Sequence, residues 1–357
     1  MRPLDNTIPN PDSLQSQVID LLRFPLIVGV VFIHIKLSTV SGTGVYEAFR
    51  RLFSDILAGV SVPLFFIISG YLYFRNVDFS KQVYTKKLKR RIKTLLVPYL
   101  FWNIAALLLH FVIHSIPSLK ALTHRTVDFS LVQVFWGGLV DDPNGRLPIS
   151  TQFWFIRDLM VVVILSPLVY MYAKKLGLYG LLMLCVLWLM GWWYRLPGLG
   201  IVAVFFFTLG AWVSISKLNW VNEVEKVKYP VFILYPLLVT AEFLTKGWDA
   251  NTYIQDIGVL CGILFWLNLG VSAIRAREIR PHKFLATASF FVFAIHDPWL
   301  LDPMSKLVCM WLNPSTDGAL TVWYFAIVIT VVLIGLCTYY LLRKFTPTFA
   351  NFITGGR

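Results

Sequence analysis

The chain has 357 residues, 57% of them hydrophobic and 14% charged, with a mean hydropathy of +0.68. A soluble domain carries about a quarter charged residues, so a soluble globular protein is excluded, and the polar stretches are too short for a core of their own. The formal net charge of +13 follows the loops and reads as a topology signal, with no nucleic acid among the implied partners.

A transmembrane helix needs about 20 mostly apolar residues. Residues 1–17, "MRPLDNTIPNPDSLQSQ", are polar and are expected to form a cytoplasmic N-terminal segment. No small-residue cleavage site follows the first apolar run, so the first helix is expected to be retained. Apolar segments then follow at roughly 18–37, 53–74, 94–114, 152–172, 178–194, 199–216, 229–245, 253–273, 284–302 and 320–342. They are long, Leu-rich and without sustained alternation, which favours helices over strands. An all-α, polytopic integral membrane helical bundle of about 10 transmembrane helices is predicted, with one domain over 18–345 and a cytoplasmic C-terminal tail over 346–357.

Orientation follows from the basic residues. The stretch "RNVDFSKQVYTKKLKRRIK" at 75–93 carries eight Lys or Arg, and further basic residues recur in alternate loops: "KK" at 174–175, then Lys217, Lys226 and Lys228, then "RAREIRPHK", then Arg343 and Lys344. Placing these loops and both termini inside puts 22 of the 32 Lys and Arg on the cytoplasmic side, as the positive-inside rule requires. Cys185, Cys261, Cys309 and Cys337 are isolated and without CxxC spacing, so neither a disulfide framework nor a metal site is predicted.

Within this frame a few polar residues fall inside apolar segments. The first helix contains "RFPLIVGVVFIH", which places His34 eleven positions after Arg23. On a helix that spacing leaves the two side chains about 20° apart in direction and about 16 Å apart along the axis, on one face. Arg23 has a plainer reading as a topology anchor that snorkels to headgroups or pairs with Asp20, and His34 as a histidine making one interhelical hydrogen bond. Ionisable groups within a span nevertheless tend to face the bundle interior and mark a site. "KLKRRIK" places Arg90, Arg91 and Lys93 within one turn at the inner mouth of the third helix, with Lys87 one turn earlier. Arg157 and Asp158 lie near the outer end of the fourth helix beside Trp154, and His296 and Asp297 near the outer end of the ninth, where Pro298 loosens the helix. His110 and His114 have the spacing of a two-His metal face but no evident third ligand. Ser69 reads as a helper of close packing at Gly70, and Glu242 and Asp256 have no assigned role.

Arg, ten residues and His in a first helix resembles the signature of the membrane-bound acyltransferase-3 family. Further stretches resemble that family in order: "FFIISGYLYF" at 65–74, "KKLKRRIKTLLVPYLFWN" at 86–103, "FWFIRDLMVVV" at 153–163, "FFFTLGAW" at 205–212 and "SFFVFAIHDP" at 289–298. The resemblance implies a bacterial plasma-membrane O-acyltransferase. It would carry an acyl group, acetyl in the first instance, from cytoplasmic acyl-CoA to a hydroxyl of an extracytoplasmic carbohydrate or lipid-linked glycan, with no metal. On that reading His34 is the general base, or alternatively a covalent nucleophile. Arg90, Arg91, Lys93 and Lys87 hold the donor's phosphates, and Arg23 holds the phosphates or the thioester end of the arm. Trp154, Arg157 and Asp158 bind the acceptor, while His296 and Asp297 orient His34 or the acceptor. The family pattern at the basic patch is often Arg, two residues, Arg; here Arg90 is followed by Lys93, with Lys87 and Arg90 as a second register. The alternative function is a transporter or exporter of a glycan, sugar or amino acid, which intramembrane charges also suit. Against it stands the lack of an inverted repeat in the sequence. Acceptor identity is expected to be written in outer loops such as 115–150.

Overall fold

The computed structural model of the chain describes residues 11–35, 37, 44–76, 78–116, 119, 148–194, 196, 198–276 and 279–356. Among these, regular structure is helical, apart from an isolated bridge between Leu196 and Leu199. That is what lipid imposes on a chain whose backbone must satisfy itself within each segment.

In chain order the helices are α1 (Pro11–His34), α2 (Val45–Arg50), α3 (Ser61–Phe74), α4 (Lys81–Arg91), α5 (Val97–Ser115), α6 (Trp154–Ile164), α7 (Ser166–Leu189) and α8 (Ile201–Ile215). They continue with α9 (Trp220–Lys226), α10 (Lys228–Leu244), α11 (Asn251–Arg275), α12 (Lys283–Ile295), α13 (Leu301–Leu307), α14 (Asp317–Phe345) and α15 (Pro347–Thr354). Among the described residues, four wider, π-helical turns occur within longer helical runs: Arg51–Leu57, Ile92–Leu96, His296–Leu300 and Val308–Leu312.

Among the described residues, seven helical stretches are long and apolar enough to cross a membrane, and an eighth is added if α8 and α9, bent by 110°, make one span. The chain is therefore an all-α, multi-span membrane bundle. The ten apolar segments read from the sequence all fall on helices, and the smaller count has a physical origin. At 1.5 Å per residue, α6 is only about 16 Å long and α10 about 25 Å, short of a hydrocarbon core of about 30 Å. Gly177 inside α7 has φ 51° and ψ −129°, a conformation no helix contains.

Side chains that point away from the bundle are apolar: Leu108, Phe111, Leu182, Leu237 and Ile329 are all more than half exposed. In water such a surface would aggregate; in lipid it is the solvated face. The interior is held by close backbone approach and by paired polar groups. α3 and α8 cross where a Cβ on Gly70 would sit on the Phe207 carbonyl and one on Gly210 on the Ile67 carbonyl, as small residues permit in membrane packing. Buried Ser54 donates to the Phe32 carbonyl at 2.5 Å and lies 2.6 Å from the Tyr324 hydroxyl. Asn268 donates to the Val224 carbonyl at 2.9 Å, and Arg51 to that of Glu242 at 2.5 Å. α1 runs through the middle, touching α3, α11, α12 and α14. One of its faces is left to line a cavity.

Candidate active site

That face is Arg23, Ile27, Val30 and His34, spaced by four, three and four residues, and it borders a cavity of about 550 Å³. Helical spacing of this kind holds all four side chains on one stripe. The opposite walls come from α3, the π-turn after α4, the start of α6 and α12.

His34 is the last residue of α1 and is half-buried. Its Nδ1 lies 2.9 Å from the Val30 carbonyl. A carbonyl only accepts, so Nδ1 carries the proton and Nε2 is the basic nitrogen. The ring meets that of His296 edge-on at 5.0 Å between centroids. His296 is wholly buried, its Nδ1 lies 2.6 Å from the Phe293 carbonyl, and its Nε2 has no hydrogen-bond partner among the described residues. Two imidazoles of the same tautomer therefore stand side by side, one at the cavity and one behind it.

Arg23 lines the same cavity and also pairs with Asp20 at 2.7 Å. The ion pair of its plainer reading and the cavity position are therefore both present. Lys87, Arg90 and Arg91 line the cavity together with Thr94, at helical positions i, i+3, i+4 and i+7. Lys87 and Arg91 both lie over the ring of Tyr73, at 4.9 and 5.8 Å, and Lys87 donates to the Tyr73 carbonyl. The buried Tyr73 ring is thus the platform on which two of the three cations rest, and its hydroxyl is held by Ser166 at 3.1 Å. Lys93 stands apart, exposed and outside the cavity; the Lys87 and Arg90 register is the one that faces inward.

Trp154 borders the cavity, but Arg157 and Asp158, on the next turn, do not. They pair with each other at 3.0 Å, their side chains only 12% and 5% exposed. Asp158 accepts from the Gly200 N–H at 3.4 Å, so the pair braces the start of α8. Asp297 lies behind His296, where its carboxylate accepts from Thr151 at 3.2 Å and its carbonyl from Gln152. His110 is buried and His114 half-buried, 6.4 Å apart between ring centroids. Among the described residues no three His, Cys, Asp or Glu side chains gather as a metal set. Residues 117–118 and 120–147, most of the outer loop expected to read the acceptor, lie outside the described residues.

Sequence reasoning passed over Tyr73 and Gln152. Gln152 lines the cavity and donates through Nε2 to the Asp297 carbonyl and, at 3.3 Å, to that of Ala294. Both partners are acceptors, which fixes the amide orientation and leaves Oε1, buried and without a hydrogen-bond partner among the described residues, as the atom not used. A lone glutamine beside a Trp-Phe run offers no periodic or charge signal that would single it out. A second cavity of about 500 Å³, bordered by Arg75 and Lys217 on the other face of α3, contains none of the predicted residues.

No solved structure matches the chain. The succinoglycan biosynthesis protein ExoH of Rhizobium meliloti (strain 1021) is 23% identical over 364 residues, covering 97% of this chain and 94% of the relative. A family model described as "Acyltransferase domain" matches residues 17–341, which takes in every wall of the cavity except Gly355 and Gly356. The chain belongs to this family, the membrane-bound acyltransferase-3 proteins, and is a membrane-bound acyltransferase.

Proposed function

We propose that the protein moves an acetyl group from cytoplasmic acetyl-CoA to a hydroxyl of an extracytoplasmic or lipid-linked carbohydrate at the bacterial plasma membrane. The observation that carries this reading is the continuity of one cavity from the cations Lys87, Arg90 and Arg91 to the imidazole of His34. The similarity to a succinoglycan biosynthesis protein supports a glycan acceptor. The phosphates of the donor need guanidinium and ammonium groups, and the cationic end of the cavity supplies them. Arg23 on the α1 stripe then flanks the pantetheine arm, whose thioester reaches toward His34.

The chemical step follows from the tautomer. The acceptor hydroxyl attacks the thioester carbonyl carbon, and its proton passes to Nε2 of His34 as the new C–O bond forms. The C–S bond breaks, and the imidazolium returns the proton to the departing sulfur, releasing free coenzyme A. Trp154 offers a ring on which a sugar can rest. His296, behind His34, holds the base in place, and Asp297 fixes the backbone around it. In this reading the chain crosses the membrane ten times with both ends cytoplasmic, which puts the basic patch on the donor's side.

The test is transfer of labelled acetyl from acetyl-CoA to envelope glycan by purified protein, comparing wild type with His34→Ala. The variant is expected to lose about 10²- to 10⁴-fold in rate, the usual worth of a positioned base. A folded variant as active as wild type would remove His34 from the chemistry.

A further inference from the structure

Residues 346–357 read as a tail in the sequence, and its last described residues, Gly355 and Gly356, border the cavity. Helix α15 is fastened to α5: Trp102 Nε1 donates to the Ile353 carbonyl at 3.0 Å, and the ring of Phe101 meets those of Phe349 and Phe352 at 5.9 and 5.8 Å. Thr354 is wholly buried and donates to the Ala350 carbonyl at 2.7 Å. The chain then passes through two left-handed residues, Gly355 with φ 73° and Gly356 with φ 71°.

Gly355 rests on the π-turn that follows the cationic helix. A Cβ there would lie 2.5 Å from the Thr94 carbonyl oxygen and 2.7 Å from its Cα, and neither backbone atom can yield. Gly355 and Gly356 border the same cavity as Thr94, Arg90 and Arg91. The Gly356 N–H is already given to the Asn351 carbonyl at 2.7 Å, so it is not an anion donor. A Cβ at 356 meets nothing within 4 Å. The two glycines therefore act through the space they leave beside the cations.

We infer that Gly355 and Gly356, seated by α15, form the wall of the donor cavity beside Arg90 and Arg91 and determine its fit to the phosphate end of acyl-CoA. This rests on the donor reading above. A side chain at 356 starts from the cavity border in open space, at a strained φ whatever its charge, so variants differing in charge isolate the electrostatic effect of the site from its structural cost.

The experiment is titration calorimetry of coenzyme A into the purified full chain, with wild type, Gly356→Glu and Gly356→Lys compared, and ligand-free thermal unfolding run alongside to show that the variants are folded. Glu at 356 is expected to weaken binding by about tenfold relative to Lys, with the gap closing as salt screens it. With an acetyl-pantetheine donor that lacks the nucleotide, the two variants are expected to transfer at equal rates. Should the Glu variant not fold, Gly356→Gln against Gly356→Lys carries the same comparison, Lys binding the tighter. If wild type binds coenzyme A and the charge at 356 makes no difference, the wall assignment falls and the donor reading stands. If wild type does not bind coenzyme A at all, both fall.

Discussion

Lys93 follows Arg90 by three residues, yet only Arg90 reaches the cavity. The difference is angular. At about 100° per residue, positions 87, 90 and 91 of α4 fall within an arc of about 100°, whereas 93 lies in the wider turn that follows and falls outside that arc. Arg90→Ala is therefore expected to raise the KM for acyl-CoA about tenfold, the loss of one charge-assisted pair. Lys93→Ala should leave it within about twofold, as an exposed cation contributes little. Steady-state kinetics at varied donor concentration checks both; equal effects would mean that the patch acts as a diffuse anchor. The Arg23 and His34 stripe was legible because both residues sit on one uninterrupted helix, where spacing alone sets direction. The platform role of Tyr73 and the fixed amide of Gln152 were not, because each depends on a partner far along the chain, such as Gln152 on Asp297.

At the scale of elements, hydropathy located the helices and failed at their breaks. The turn at His296–Leu300, where Asp297 is extended at φ −139° and ψ 135°, was foreshadowed by Pro298. The π-turn Ile92–Leu96 carries no proline or glycine, and the seat that α15 finds on Thr94 is a tertiary contact no local pattern announces. The glycines of α3 and α8 are a middle case. Gly70 was readable as a packing residue, but its partner was not. Backbone faces backbone at this crossing, so Gly210→Ala has nothing flexible to push aside and is expected to cost at least about 1–3 kcal/mol. A lowered unfolding temperature in detergent would show it. Gly59→Ala, where a Cβ meets only a Val259 methyl at 3.9 Å, is the matched control and should unfold close to wild type. If the two variants melt together, the close crossing is not what holds α3 to α8.

For the whole molecule, the number of times the chain crosses turns on Gly177. In an unbroken helix Tyr172 and Gly180 would be about 12 Å apart along the axis, yet the Tyr172 hydroxyl donates to the Gly180 carbonyl at 2.8 Å. That bond needs the helix to break at Gly177, and on the ten-crossing reading proposed above Ser166–Leu189 supplies the end of one crossing and the start of another. Tyr170 stacks on Phe74 at 6.1 Å and lies 5.0 Å from Phe79, which places this part of α7 beside the basic segment that begins at Arg75. Lys174 and Lys175 are exposed there. A single crossing would instead hold Lys174 in mid-bilayer, at a cost of about 2.5–3.5 kcal/mol. With the four native cysteines replaced, Lys174→Cys is expected to react with an impermeant maleimide in inverted membrane vesicles and not in intact spheroplasts. Trp192→Cys, past the end of the returning helix, should show the reverse. A cysteine at 174 that resists reagent from both sides would mean that Ser166–Leu189 spans the membrane once; one that reacts only from outside would invert the bundle and put the cations of the cavity on the wrong side for a cytoplasmic donor.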